Sequence, residues 1–193
     1  MSEEQYEAAL TSAKNSYLAG DYNAARVNYR KANDFRTLGL EDSLNYASTL
    51  IGQDLLAEAD QLLSRLSLQS LSPKERADLN VLKGLRSLNG GDVAGAEEAL
   101  KVALEFDRSS ELAVFNMANI RLLGNEPDRA LDMLDTIENP VANLHLWKLL
   151  IAEAAATKIK VNMNSEGMSR VIEKVGATIL PNPFAVETNL VMA

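Results

Sequence analysis

Apolar and small side chains recur along the chain with spacings that predict short, paired helices. In residues 77–110, Val81, Leu85 and Leu88 fall on one face of a helix that would precede the turn sequence Asn89-Gly90-Gly91-Asp92. Gly adopts positive φ without steric cost and Asp is a favoured helix N-cap, so this sequence is typical of a tight connection between two helices. Residues 77–110 are therefore predicted to form a helical hairpin.

The same pattern occurs before and after this hairpin with a nearly constant period. Ala25, Ala59, Ala96 and Ala130 are each followed four residues later by Tyr or Leu, and they are spaced 34, 37 and 34 residues apart. An ordinary helix bundle has no reason to keep such a period, whereas a helical repeat array does. We therefore predict four hairpins, at residues 6–39, 40–73, 77–110 and 111–140. A helix break at Ser70–Pro73 and a three-residue insertion separate the second from the third.

Turn and cap residues set the expected ends of individual helices. The first helix is expected to end near Ala19, and the second to begin at about Asp21, with that aspartate as its N-cap. Pro127 is expected in the first turn of the eighth helix, where a missing N–H costs nothing. Asn139-Pro140 is expected to end that helix.

The first unit carries a familiar combination of small, aromatic and turn positions. When the chain is divided into 34-residue units, these positions in the first unit are Ala13, Ala25, Ala32, Gly20, Tyr22 and Tyr29. In this respect the chain resembles the tetratricopeptide repeat (TPR) family. The resemblance implies an all-α fold, a right-handed α-solenoid of helix–turn–helix repeats. Ala9 and Thr37 replace the family's usual Trp and Pro, so the resemblance depends on the small and turn positions.

The pattern changes after residue 140. Residues 141–180 are predicted to form a divergent helical hairpin that caps the fourth repeat, with an apolar stripe from Met168 to Ile179. Pro181-Asn182-Pro183 ends this hairpin, and 181–193 form an apolar tail. The tail has three possible roles: it folds back on the scaffold, it lies in a neighbour's groove, or it is the beginning of a longer chain. Homo-oligomers through these C-terminal helices or the tail are one possible consequence.

Composition and charge limit the classes of partner. The chain of 193 residues has a net charge of −8, which repels phosphate backbones, so no nucleic-acid partner is expected. Residues 1–140 have a balance of −9 and residues 141–193 a balance of +1. The most apolar stretch contains Lys148 and Glu153, so no membrane insertion is expected. With no cysteine and an acidic start, a cytoplasmic location is expected, or a periplasmic one if a signal segment was removed.

No combination of residues predicts catalysis. His145 is the only histidine, Glu97 and Glu98 point apart on a helix because they are adjacent, and no phosphate-loop motif is present. We therefore expect no enzymatic activity, no metal and no cofactor.

The resemblance implies that the first helix of each repeat lines a concave groove that binds another protein or a peptide. Most of the implied positions are apolar. They are Leu10, Lys14, Tyr17, Leu44, Ile51, Val81, Leu85, Leu88, Phe115, Asn119 and Leu122, and Ser48 and Asn116 add polar points. Alternatively, some of these side chains are core between adjacent first helices.

The composition of this groove favours an apolar segment over a charged one. Some members of the family hold a terminal carboxylate with Lys and Asn, whereas the corresponding positions here are Leu10, Asn45, Asp78 and Leu82. The expected function is a protein-interaction scaffold, adaptor or chaperone that binds an apolar peptide segment. Two alternatives are a structural subunit of a bacterial pilus or secretion assembly, and a regulatory domain that docks to an enzyme.

Overall fold

A computed structural model describes residues 2–137, and all regular elements in this range are α-helices. The eight helices are α1 Glu3–Leu18, α2 Tyr22–Phe35, α3 Leu40–Gly52, α4 Leu56–Ser67, α5 Pro73–Asn89, α6 Val93–Phe106, α7 Glu111–Leu123 and α8 Pro127–Leu134. The predicted all-α, helical-repeat class is confirmed. The predicted capping hairpin at 141–180 and the tail at 181–193 lie outside the described residues.

Consecutive helices pack as hairpins, and the hairpins pack in sequence. α1 packs on α2, α3 on α4, α5 on α6 and α7 on α8. The odd-numbered helices also contact one another in the order α1, α3, α5, α7, whereas no such row of close contacts joins the even-numbered helices in this part of the chain. The odd-numbered helices are therefore the inner row of a stack, and the even-numbered helices are the outer row.

The turns of the four hairpins share one backbone feature. Gly20, Asp54, Gly91 and Asn125 have φ between 59° and 80°, the left-handed region that Gly, Asn and Asp adopt most readily. Their spacings of 34, 37 and 34 residues equal those of the alanine series. The positive-φ turn residues therefore show the same period as the small side chains, although they are an independent feature of the backbone.

Small side chains allow the helices of each hairpin to approach closely. Ala13, Ala25, Ala59, Ala96 and Ala130 are fully buried. At Gly84 on α5 even a methyl group would not fit, because a Cβ there would lie 2.9 Å from Leu100 Cγ on α6. These positions are small because the neighbouring helix occupies the space that a larger side chain would need.

Helix ends follow the predicted caps in the first hairpin. α1 ends at Leu18, and the Asp21 carboxylate accepts a hydrogen bond of 3.0 Å from the Ala24 N–H at the start of α2. Pro127 is the first residue of α8, as expected.

Two expectations about helix ends need correction. α8 ends at Leu134 and not near Asn139-Pro140, because Asp135 and Thr136 form a turn in which the Thr136 hydroxyl donates to the Met133 carbonyl at 2.7 Å. The third hairpin begins at Pro73 and not at residue 77, and the reason is the three-residue insertion. It lengthens α5, which begins at Pro73 after a reciprocal cap in which Ser72 and Glu75 satisfy each other's backbone N–H groups.

Candidate interaction surface

All residues predicted to line the groove lie on the inner row of helices. Leu10, Lys14 and Tyr17 are on α1, Leu44 and Ile51 on α3, Val81, Leu85 and Leu88 on α5, and Phe115, Asn119 and Leu122 on α7. The repeat period places Leu44, Val81 and Phe115 at equivalent positions of consecutive inner helices. We call the surface formed by the predicted residues of α3, α5 and α7, together with Ser48 and Asn116, the inner surface.

The side chains of the inner surface are largely buried. Leu44, Ile51, Val81, Phe115 and Leu122 are each no more than 5% exposed, Leu85 is 8% exposed, and Leu88 is half-buried. Several of these side chains also belong to the continuous hydrophobic core that runs from the first hairpin to α7 of the fourth. Core packing between neighbouring inner helices, the alternative left open above, therefore accounts for part of this burial.

The burial of the inner surface is most complete at α3. Ten consecutive residues, from Asp42 to Ile51, are buried, although a helix exposes a new direction with every residue. α7 is similar, with six consecutive buried residues from Phe115 to Ile120. The outer helices differ, because α2, α4, α6 and α8 bury only residues at helical spacing on one side.

At the first hairpin the surface is more open and carries a charge pair. Lys14 Nζ lies 3.0 Å from Asp42 Oδ1, with 35% and 12% of the two side chains exposed. The hydrogen bond to Asp42 raises the pKa of Lys14 above its ordinary value. Lys14, predicted as a polar contact for a partner, therefore pairs with Asp42 across α1 and α3. Tyr17 is fully buried, and its ring packs against Tyr22 with centroids 6.1 Å apart.

The polar side chains on α7 present hydrogen-bond acceptors. The Asn116 amide donates from Nδ2 to the Leu112 carbonyl at 2.8 Å, but its buried Oδ1 accepts no hydrogen bond within the structure. Asn119 is 93% buried, with 7% of its surface exposed, and its Oδ1 likewise accepts none. A buried acceptor without a donor costs about 1–3 kcal/mol. Donors from a bound segment would remove that cost.

The residues at the carboxylate-clamp positions do not provide a cationic site. Asn45 is fully buried, and Leu82 is 1% exposed in the core. Burial raises the pKa of the half-buried Asp78 carboxyl, and the nearby Asp107 adds to the effect. A negative charge at Asp78 repels a ligand carboxylate, so these positions do not favour an anionic ligand.

Sequence reasoning missed the polar pairs that join neighbouring repeats. Besides the pair of Lys14 with Asp42, these are the ion pairs of Arg86 with Asp60 and of Arg121 with Glu97. In the last pair, Arg121 Nη2 lies 2.9 Å from Glu97 Oε1. The repeat register carried a signal only for the acidic partners, since Asp60 and Glu97 each directly follow a repeat alanine, Ala59 and Ala96. Neither pair is a catalytic constellation. No three acidic or histidine side chains cluster as a metal site would require in residues 2–137.

Comparisons with known proteins support the fold. No family model and no curated protein sequence matches the chain. The chain is similar in structure to a protein whose solved structure is described as the crystal structure of MamA protein, a helical-repeat solenoid. The TM-score is 0.51 at 15% sequence identity, over 93% of this chain and 100% of that one. Within the described range, no helix is both long and apolar enough to cross a bilayer. The chain therefore has the fold of an α-helical repeat solenoid.

Proposed function

We propose that the chain is a non-catalytic scaffold that binds an apolar segment of another protein on its inner surface. The observation that carries the proposal is the continuity of apolar side chains at equivalent positions of α3, α5 and α7, which ends at two buried acceptors, Asn116 and Asn119. Apolar contacts provide affinity without regard to direction, and amide acceptors orient a peptide backbone.

The charge distribution supports an uncharged ligand. Lys14, the cation predicted to line the groove, is already paired with Asp42, and Asp78 is an unfavourable neighbour for an anion. A segment rich in Leu, Val or Ala pays little to leave water, whereas a charged segment would lose its hydration without a matched partner. The proposed ligand class is therefore an extended apolar segment with few charges.

A direct test uses an array of fluorescein-labelled ten-residue peptides, half of them alternating Val or Leu with Asn or Thr and half rich in Lys and Glu. Binding is measured by fluorescence anisotropy with the chain. The apolar peptides should bind. Leu88→Gln, at a half-buried inner position, should weaken binding about tenfold if it removes about 1.4 kcal/mol of contact.

The matched control is Leu68→Gln, because Leu68 is 88% exposed next to α4 in the outer row. It should leave peptide affinity unchanged, and circular dichroism should show both variants folded. The proposal is wrong if charged and apolar peptides bind alike, if no peptide binds the chain, or if Leu68→Gln weakens binding as much as Leu88→Gln.

A further inference from the structure

A cleft between α4 and α5 is larger than the equivalent cleft one repeat earlier. Its volume is about 420 Å³, and its lining residues are Asp60, Leu63, Ser64, Ser67, Lys83, Arg86 and Ser87. We call it the α4–α5 cleft. The repeat spacings of 34 and 37 residues relate four of these positions, Ser64, Ser67, Lys83 and Ser87, to Arg30, Asn33, Tyr46 and Leu50.

The three serines account for the difference in size. Arg30, Asn33, Tyr46 and Leu50 all line the equivalent cleft, whose volume is about 170 Å³. In the α4–α5 cleft, serines replace the arginine, the asparagine and the leucine. Their short side chains leave more of the space between the helices open, at the one of the two clefts that also contains a lysine.

The lysine in the α4–α5 cleft has no partner. At the equivalent positions of two other inner helices, Tyr46 on α3 and Met117 on α7 are only 8% and 5% exposed. Lys83 is half-buried, and within residues 2–137 its ammonium group forms no ion pair and no hydrogen bond. A charge that is partly removed from water is unfavourable without a counter-charge, so an anion in the cleft would lower this cost.

The other charged groups that line the cleft compensate each other. Arg86 Nε lies 2.6 Å from Asp60 Oδ1, and Arg86 Nη2 contacts the second oxygen of the same carboxylate, which is the two-point geometry of a strong ion pair. Asp92 adds a further negative charge near Arg86. Among the lining residues, Lys83 therefore carries the charge that is not compensated, and it matches a ligand with one negative charge better than a ligand with two.

Hydroxyl groups complete the lining of the cleft. Ser67 Oγ donates to the Leu63 carbonyl at 2.8 Å and keeps lone pairs that can accept a hydrogen bond. The hydroxyls of Ser64 and Ser87 form no hydrogen bond in the part of the chain that the structure describes, so each can both donate and accept. Neutral polar groups of a ligand would find partners here.

We propose that the α4–α5 cleft binds a single carboxylate flanked by neutral hydrogen-bonding groups, with Lys83 as its cationic partner. An acidic side chain of a partner protein and a free hydroxy acid both have this chemistry. The volume lies in the range of about 300–1,000 Å³ that is usual for ligand pockets. None of the residues of the inner surface lines the cleft, so the site is additional to the proposed function and independent of it.

Binding is tested by following the amide chemical shifts of the isotope-labelled full chain. The probes are a capped tripeptide with glutamate between two serines, and gluconate. At least one should cause saturable shifts at Ser64, Lys83 and Ser87, with a dissociation constant of about 1–10 mM. Shifts with the tripeptide alone identify an acidic residue of a partner, and shifts with gluconate alone identify a free hydroxy acid. The matched tripeptide with glutamine, and sulfate, which carries two charges, should cause no saturable shifts there.

Three variants separate the roles of charge and space. Lys83→Met removes the cation but keeps the apolar stem, and it should weaken binding at least about tenfold. Ser87→Leu introduces the residue type that α3 carries at this position, and it should weaken binding similarly by filling the cleft while the lysine stays. Lys74→Met is the matched control, because Lys74 is exposed on the same helix outside the cleft and its loss changes the net charge equally. Circular dichroism verifies that each variant is folded.

Four results would overturn the inference. They are the absence of saturable shifts with both carboxylate probes, equal binding of the glutamine tripeptide or of sulfate at these residues, an unchanged affinity in Ser87→Leu, and a loss in Lys74→Met as large as the loss in Lys83→Met.

Discussion

The two helices of the second hairpin are buried in different ways. α3 buries ten consecutive residues, including Ser43, Asn45, Ser48 and Thr49, whereas α4 buries Ala59, Leu62, Leu63 and Leu66 on one face. An outer helix has only one packing task, against its own hairpin and the next. The inner helix α3 packs on its own hairpin and also on the inner helices α1 and α5. Burial on every side therefore distinguishes α3 of the inner row from α4 of the outer row.

The difference in burial between two leucines of the second hairpin predicts a large difference in stability. Leu50→Ala on α3 should lower the free energy of unfolding by about 2–5 kcal/mol, because it leaves a cavity at a side chain that is 1% exposed. Leu68→Ala, next to α4 in the same hairpin, removes an equal number of atoms from a side chain that is 88% exposed. It should change the free energy by no more than about 0.5 kcal/mol. Urea unfolding followed by circular dichroism measures both, and similar losses would contradict the difference in burial between Leu50 and Leu68.

The contact between α5 of the inner row and α6 of the outer row offers a second test. Gly84→Val on α5 should cost about 1–3 kcal/mol, because its side chain would collide with Leu100 on α6. Combining it with Leu100→Ala should cost less than the sum of the two single changes, since the added atoms fill the space that Leu100 vacates. Additive losses in chemical unfolding would mean that Leu100 does not set the size limit at this position.

The sequence predicted the outer row better than the inner one, for a physical reason. The fully buried alanines, the positive-φ turn residues and the Asp21 cap are local requirements of a hairpin, so each is visible as a residue type at a fixed spacing. Buried Asn45, Asn116 and Thr49 are polar residues, and the helical pattern alone suggests that they face water. Their burial depends on segments distant in the sequence. The early start of α5 was not predicted for a simpler reason. Pro73 suggests a helix break, although proline is favourable in the first turn of a helix.

The ion pair between α1 and α3 tests how firmly the inner helices are joined. Lys14→Met keeps most of the apolar stem and removes the charge opposite Asp42, and it should cost about 0.5–1 kcal/mol at pH 7. The pKa of Lys14 is raised in the folded chain above its ordinary value of 10.5, so the folded state binds this proton more tightly than the unfolded state. The contribution is complete below pH 10.5 and is lost as the pH rises through the folded pKa. Unfolding curves of the two proteins should therefore converge in alkali, and a constant difference would assign the loss to packing.

The smallest expected effect concerns the carboxyl on the inner row. Burial raises the pKa of Asp78 above its ordinary value of 3.8, so the ionised form is less favourable in the folded chain than in the unfolded one at neutral pH. Asp78→Asn removes this penalty and should stabilise the chain by a few tenths to about 1 kcal/mol at pH 7. The gain should disappear as the pH falls through the folded pKa toward 3.8, where the native carboxyl is itself protonated. Glu58→Gln, at an exposed position on outer helix α4, is the matched control and should show no such gain. If Asp78→Asn destabilises the chain at pH 7, the carboxylate has a favourable partner in the folded chain. The Asp78 charge would then no longer be an argument against an anionic ligand.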